Sequence, residues 1–273
     1  MIDIDLNISI LLKEYSFLER FSEAAQLGFE TVEFYWEKDL DPKAVSDRVQ
    51  ISGLNVAAFN LDAGDLSTGD RGLLNDPVRH QRMRENVPVA IELAKSIGCK
   101  KLTALAGNLR PEEDREKQID RMRENLLWIC GEAEKAGITI MVEAVNAFDN
   151  KFYPFTDTDS TIEFLDSVGT SNLGYLYDIY HMYRMEGNIV STLTKYVDRI
   201  EHIQIADSPG RNHPGTGEID YDQILKTIEE CGYKGSVGLE FIAMGSTEAS
   251  LEWLPREHRR KLDTGSYKFG KVN

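Results

Sequence analysis

Short runs of β-branched and aromatic residues alternate along the chain with longer stretches of helical period, and the alternation recurs eight times. The strand candidates are Asp5 to Ile10, Thr31 to Trp36, Asn55 to Leu61, Lys101 to Ala106, Ile138 to Val145, Leu173 to Asp178, Arg199 to Asp207 and Ser236 to Phe241. Between them run helical segments such as Phe17 to Leu27, His80 to Ile97, Pro111 to Ala136 and Tyr221 to Cys231. Gly28, Gly98, Gly137 and Gly232 follow such segments, where a left-handed residue ends a helix. Strict strand-helix alternation requires right-handed crossovers and a parallel sheet. Eight units in 273 residues is the size at which that sheet closes, so the pattern predicts a single-domain (β/α)8 TIM barrel. The rival is an open doubly wound sheet, but no G-x-G-x-x-G follows the first strand.

Two stretches are too long for plain connections, Asp62 to Arg79 and Pro209 to Asp220, and both follow strands. In a barrel that places them on the catalytic face. Residues 256–273 read as a C-terminal extension, a solvated helix and strap whose Arg256, Arg259, Arg260 and Lys261 offer a contact for a homo-oligomer.

Charge narrows the partners. With 31 basic and 46 acidic residues the net charge is −15, a field that repels phosphate backbones and anionic membranes, so nucleic acid is excluded. An anionic small substrate would need a locally placed Arg or Lys. Cys99, Cys130 and Cys231 are widely spaced and form no C-x-x-C pair, as expected of reduced thiols. The acidic start Met1 to Asp5 lacks the basic residues of a signal peptide, and no apolar run is long enough for a membrane span; a cytoplasmic protein is expected.

Candidate chemistry sits at the strand ends. Glu143 closes the fifth strand, Asp178 the sixth and Glu240 the eighth, while Gln204 lies near the end of the seventh. They are spaced 35, 26 and 36 residues apart, about one βα unit each, which predicts donors at similar heights on consecutive strands. Carboxylates plus an amide oxygen make a hard site, suited to Mg²⁺ or Mn²⁺. Glu143 and Glu240 would flank a substrate held there, able to take a proton from one carbon and return it to its neighbour, with no organic cofactor.

Five further residues are candidate substrate contacts. His181 falls on the loop after the sixth strand, and His202 shares the inward face of its strand with Gln204, as substrate contact or interior filler. Arg71, in the glycine-punctuated loop Gly64 to Gly72, has the planar fork that grips a carboxylate; pairing with Asp65 or Asp70 is the alternative. Arg211, in the loop Pro209 to Glu218, is the second such cation, and Glu218 orients it, binds substrate or is a plain loop acid.

These segments together resemble the hydroxypyruvate isomerase family of xylose-isomerase-like barrels. The resemblance rests on Leu27 to Phe34, the loop from Phe59-Asn60 to Arg71-Gly72, Val142 to Asn146, Asp178 to His181, His202 to Ala206, Thr216 to Tyr221 and Gly238 to Phe241. It implies a metal held by Glu143, Asp178, Gln204 and Glu240, and an acid-base pair of Glu143 and Glu240. It also implies an isomerase that interconverts hydroxypyruvate and 2-hydroxy-3-oxopropanoate through an enediolate. Related alternatives are a 2-oxotetronate isomerase or a ketose 3-epimerase, although the epimerases usually carry His where Gln204 stands. Ala144-Val145 departs from the family's Pro-Ile, and Asp207 adds an acid expected near the site mouth. Barrels of the DNA-repair endonucleases bind several zinc ions, which five histidines and a charge of −15 disfavour.

Overall fold

A computed structural model describes residues 1–37, 39–265 and 267. Eight parallel strands close on themselves: β1 (Ile2–Asn7), β2 (Thr31–Phe34), β3 (Asn55–Asn60), β4 (Lys101–Thr103), β5 (Thr139–Glu143), β6 (Leu173–Asp178), β7 (Ile200–Ile205) and β8 (Ser236–Leu239). β1 pairs with both β8 and β2, so the sheet has no open edge there and the doubly wound alternative is excluded. The barrel is wrapped by α1 (Phe17–Gln26), α2 (Pro42–Ser52), α3 (His80–Ile97), α4 (Arg115–Glu134), α5 (Thr158–Val168), α6 (Ile179–Met185), α7 (Ile189–Tyr196) and α8 (Tyr221–Glu230). No helix among the described residues is long and apolar enough to cross a membrane.

Local chemistry sets the boundaries. α4 starts four residues later than its periodicity suggested, because Asp114 accepts a hydrogen bond from the Lys117 amide and caps the helix there. Gly98 and Gly232 end their helices with φ of 72° and 77°, as expected. The first strand lies three residues earlier than expected. Its alternation runs on through Ile8 and Ile10, but the β8 partners are fixed at Asp3 to Leu6, and residues beyond Asn7 turn into the loop above the barrel.

The C-terminal extension is not a solvated helix. Residues 256–258 form one 3-10 turn, and β9 (Lys261–Leu262) pairs antiparallel with Ile2 and Asp3 of β1. Arg259 is buried, its guanidinium donating to the carbonyls of Leu27, Leu251 and Leu254. It therefore clamps the segment to the end of α1. Arg260 and Lys261 pair at the surface with Glu30 and Asp3. Residues 266 and 268–273 of that extension lie outside the described residues.

The two faces of the strands differ in character. Outward residues such as Ile4, Leu6, Ile140, Val142 and Ile203 join the helices in one apolar core. Inside the barrel a small separate cluster of Ala58, Met141 and Leu176 fills one side. The opposite side is polar and fully buried: Asp5, Asn7, Glu33, His202 and Gln204. Polar groups so deeply buried need partners; Asn7 and Gln204 bond both Glu33 and Glu240, which links this layer to the site.

Candidate active site

A cavity of about 370 Å³ opens at the C-terminal end of the barrel. Glu143, Gln204, Glu240, His181, Arg71 and Arg211 line it, together with Lys13, Tyr35, Asn150 and Tyr153. Asp178 and Gln204 are register partners on β6 and β7, whereas Glu143 pairs with Leu176, two residues below Asp178. Glu240 lies two residues beyond Gly238, the partner of Gln204. The donors are thus staggered rather than level, as strand tilt in a barrel requires, yet they converge.

One ligand atom each from Glu143, Asp178 and His181 lie within 4.8 Å of one another. Glu240 joins this group through Arg211, whose Nη2 donates to Glu240 Oε2 at 2.5 Å and to Asp178 Oδ2 at 3.3 Å. Gln204 Nε2 donates to Glu240 Oε1 at 3.3 Å. Asp178 divides its work, with Oδ1 capping α6 through the Tyr180 amide and Oδ2 facing the cluster.

These carboxyl groups repel one another. Burial, then Glu240 and Asp178, push Glu143 well above the usual carboxylate range against the pull of Arg211. Burial raises Asp178 likewise, with Arg211 opposing and Glu240 adding to the shift. A cation of double charge among such oxygens relieves both terms. The donor set fits one: three carboxylates are present, and the buried Oε1 of Gln204 has no hydrogen-bond partner among the described residues. An orphaned amide oxygen beside three acids suits a hard divalent ion such as Mg²⁺ or Mn²⁺.

His181 lies on the first turn of α6, not on a loop, and is buried. Its Nδ1 accepts the Asn146 backbone N–H at 3.2 Å. Nε2 lies 3.5 Å from Asp178 Oδ2 and 3.8 Å from Glu143 Oε1. Burial, followed by Arg211, Arg184 and Arg71, holds its pKa well below the ordinary value, so the ring is neutral.

Arg71 is held by Asn150 Oδ1 and by the carbonyls of Leu66 and Asp70. It makes no ion pair among the described residues, because Asp70 is taken by Arg79 and Asp65 caps the turn at Ser67. Its loop is fixed by Gly72, where a Cβ would sit 2.0 Å from the Leu105 carbonyl. Arg211, with a left-handed φ of 55°, stacks over Tyr180.

The interior alternative holds for His202, and the expectations for Glu218 and Asp207 are corrected. His202 does not reach the cavity; it lies beneath it, with Nε2 2.8 Å from Glu33 Oε2. Glu218 is exposed on the loop before α8 and neither lines the cavity nor bonds Arg211. Asp207 is not a mouth acid: it is buried, and its carboxylate accepts the amides of Ser208, Gly215, Gly217 and Ile219, which ties that loop together. Sequence reading missed Lys13, Tyr35 and Asn146. Tyr35 directly follows β2 and donates to Glu240 Oε1, a position where a barrel places site residues.

Closed barrel and convergent strand ends define a class, and the xylose isomerase-like TIM barrel family model matches residues 21–257. The chain is 39% identical over 254 residues to the hydroxypyruvate isomerase of Escherichia coli K12, covering 93% of this chain and 98% of that one. It is 33% identical over 248 residues to a 2-oxo-tetronate isomerase of Cupriavidus necator, covering 91% and 95%. A crystal structure from Brucella melitensis, described as an AP endonuclease of family 2, superposes with a TM-score of 0.87 at 31% identity, covering 93% and 98%. Within the xylose isomerase-like barrels the chain belongs to the hydroxypyruvate isomerase family, a family of isomerases.

Proposed function

We propose that this chain is a divalent-metal-dependent isomerase of small hydroxy oxo acids, interconverting hydroxypyruvate and 2-hydroxy-3-oxopropanoate. The observation that carries the reading is the buried Oε1 of Gln204, without a hydrogen-bond partner among the described residues, on a side chain that lines the same cavity as Glu143 and Glu240. Glu143, Asp178, Gln204 and Glu240 would hold the ion. Bound there, Mg²⁺ or Mn²⁺ supplies Lewis acidity that lowers the cost of forming an enediolate.

The side chains do the rest. One of the pair Glu143 and Glu240 removes a proton from C3 of hydroxypyruvate, and a carboxyl of the pair returns a proton to C2. The hydroxyl proton of C3 leaves its oxygen while the C2 oxygen gains one, and His181 Nε2–H faces that exchange. Arg71, with guanidinium capacity left over, takes the substrate carboxylate, and Lys13 adds positive charge at the rim. These cations favour an acid over a neutral ketose, against the 3-epimerase reading. The 2-oxotetronate reading differs only in chain length, and the relative from Cupriavidus supports it.

The DNA-repair alternative has little support in the charge of −15 and in a donor set of oxygen atoms. The test is to strip the protein with chelator, restore Mg²⁺ or Mn²⁺, and offer hydroxypyruvate, a 2-oxotetronate and a neutral ketose in D₂O. Proton NMR should show metal-dependent deuterium entry at carbon for the acids. Exchange into the ketose alone, or metal-independent exchange, would overturn the reading.

A further inference from the structure

Below the cavity, Glu33 of β2 occupies the centre of a buried network that the reaction itself does not use. Its Oε1 accepts from Gln204 Nε2 at 2.8 Å and from Asn7 Nδ2 at 3.0 Å, and its Oε2 is 2.8 Å from His202 Nε2. Asn7 Nδ2 also donates to Glu240 Oε1 at 3.1 Å. Gly238 makes room for this carboxyl: a Cβ there would approach Glu33 Oε1 to 2.8 Å.

A primary amide has two orientations about its last torsion, and they present opposite chemistry. As found, Gln204 directs its NH₂ to Glu33 Oε1 and Glu240 Oε1 and leaves Oε1 without a hydrogen-bond partner among the described residues. The flipped orientation would set the amide oxygen against those two carboxyl oxygens, acceptor facing acceptor, and present N–H donors where a cation must find a lone pair. The contact to Glu33 is the shorter of the two and comes from a residue outside the cavity lining.

We propose that Glu33 is a positioning residue: by accepting the Gln204 amide it turns Gln204 Oε1 toward the divalent cation. His202 and Asn7 hold Glu33 in turn. The inference rests on the reading of Gln204 as a donor to that ion, and the test separates the two.

Mn²⁺ binding is measured on chelator-stripped protein by the electron-spin signal of free Mn²⁺, so no turnover is involved. Four variants are compared with the parent. Gln204→Leu tests the premise and should weaken binding. Glu33→Met removes the acceptor and should weaken binding about 10- to 100-fold, the usual cost of losing a group that orients a ligand. Glu33→Gln should bind nearly as the parent does, since its amide oxygen can accept from Gln204 and Asn7 while its NH₂ donates to His202. Gly238→Ala leaves every polar group in place but pushes Glu33 Oε1 aside, and should also weaken binding; it decides the matter if Glu33→Met does not fold. Unchanged affinity in Glu33→Met and Gly238→Ala beside a loss in Gln204→Leu overturns the role of Glu33 alone. An equal loss in Glu33→Gln and Glu33→Met overturns it too, showing that charge and not the acceptor matters. Unchanged affinity in Gln204→Leu removes the premise and the inference with it.

Discussion

Asn146 donates its backbone N–H to Nδ1 of His181 at 3.2 Å, which assigns the neutral ring's own proton to Nε2. Nε2 faces Glu143 and Asp178, so His181 enters the cavity as a hydrogen-bond donor. A ring whose Nδ1 lone pair is already used and whose Nε2 carries the proton does not ligate a cation there. On the proposed reading, the tight grouping of His181 with Glu143 and Asp178 would supply two carboxylate ligands and one hydrogen-bond donor to substrate.

His181→Leu should lower kcat about 10²-fold or more, the usual contribution of a positioned proton donor, while Mn²⁺ affinity stays near that of the parent. A large loss of metal affinity would make His181 a ligand. Because burial and three nearby arginines lower its pKa, the ring stays neutral across pH 6–8, and its ionisation adds no limb to kcat/KM in that range. A limb near the ordinary histidine pKa that vanishes in His181→Gln would contradict this.

Among the described residues Glu143 and Glu240 are the only acids lining the cavity apart from Asp149, which is engaged by Arg184 and Tyr180. Glu143→Gln and Glu240→Gln each keep side-chain volume and an oxygen donor but lose the proton-carrying carboxyl. Each should reduce turnover by about 10²–10⁴-fold in metal-saturated protein, with circular dichroism unchanged. Near-normal turnover in Glu240→Gln would sink the two-carboxylate mechanism.

The barrel was legible because eight short strand-type runs alternate with helical stretches, the imprint that parallel strands joined by helical crossovers leave on sequence. The convergence of Glu143, Asp178, Gln204 and Glu240 was legible for a related reason, since each ends or nearly ends such a run. What local pattern does not encode is depth along a tilted strand. His202 and Gln204 share one inward face, yet one residue lines the cavity and the other lies below it with Glu33. Loop acids were equally opaque: Asp207 and Glu218 both sit in glycine-rich sequence, and only the fold shows one gathering four amides and the other facing solvent. The extension misled because Arg259 looks like surface charge until three carbonyls are brought around it.

Arg71, like Lys13, lines the cavity without an ion pair to a protein carboxylate among the described residues, whereas Arg211 is bound to Glu240 and Asp178. Arg71→Met should raise KM for oxo acids about 10- to 100-fold, as expected for losing a charge-assisted bond of about 1.5–3 kcal/mol. The effect on a neutral ketose should be several-fold smaller. Steady-state kinetics on both substrates checks this, and an equal loss for the two would make Arg71 a structural residue of its loop.

Asp5 carries a consequence for stability. It is fully buried on β1, with Glu33, His202 and the Ser236 side chain around its carboxyl. Burial and the neighbouring Glu33 push its pKa up to about 7, with His202 opposing. An unfolded aspartate titrates near 3.9, so between these values the folded protein holds a proton that the unfolded chain releases. Asp5 therefore costs little near pH 4 and progressively destabilises the fold as pH rises through 7, by on the order of 2–4 kcal/mol at pH 8. Asp5→Asn has no proton to lose, so its stability relative to the parent should climb over that window. Urea unfolding of chelator-stripped protein at several values from pH 5 to pH 8 measures the difference. Parallel curves for parent and variant would show that Asp5 is ionised in the fold throughout and would overturn this prediction.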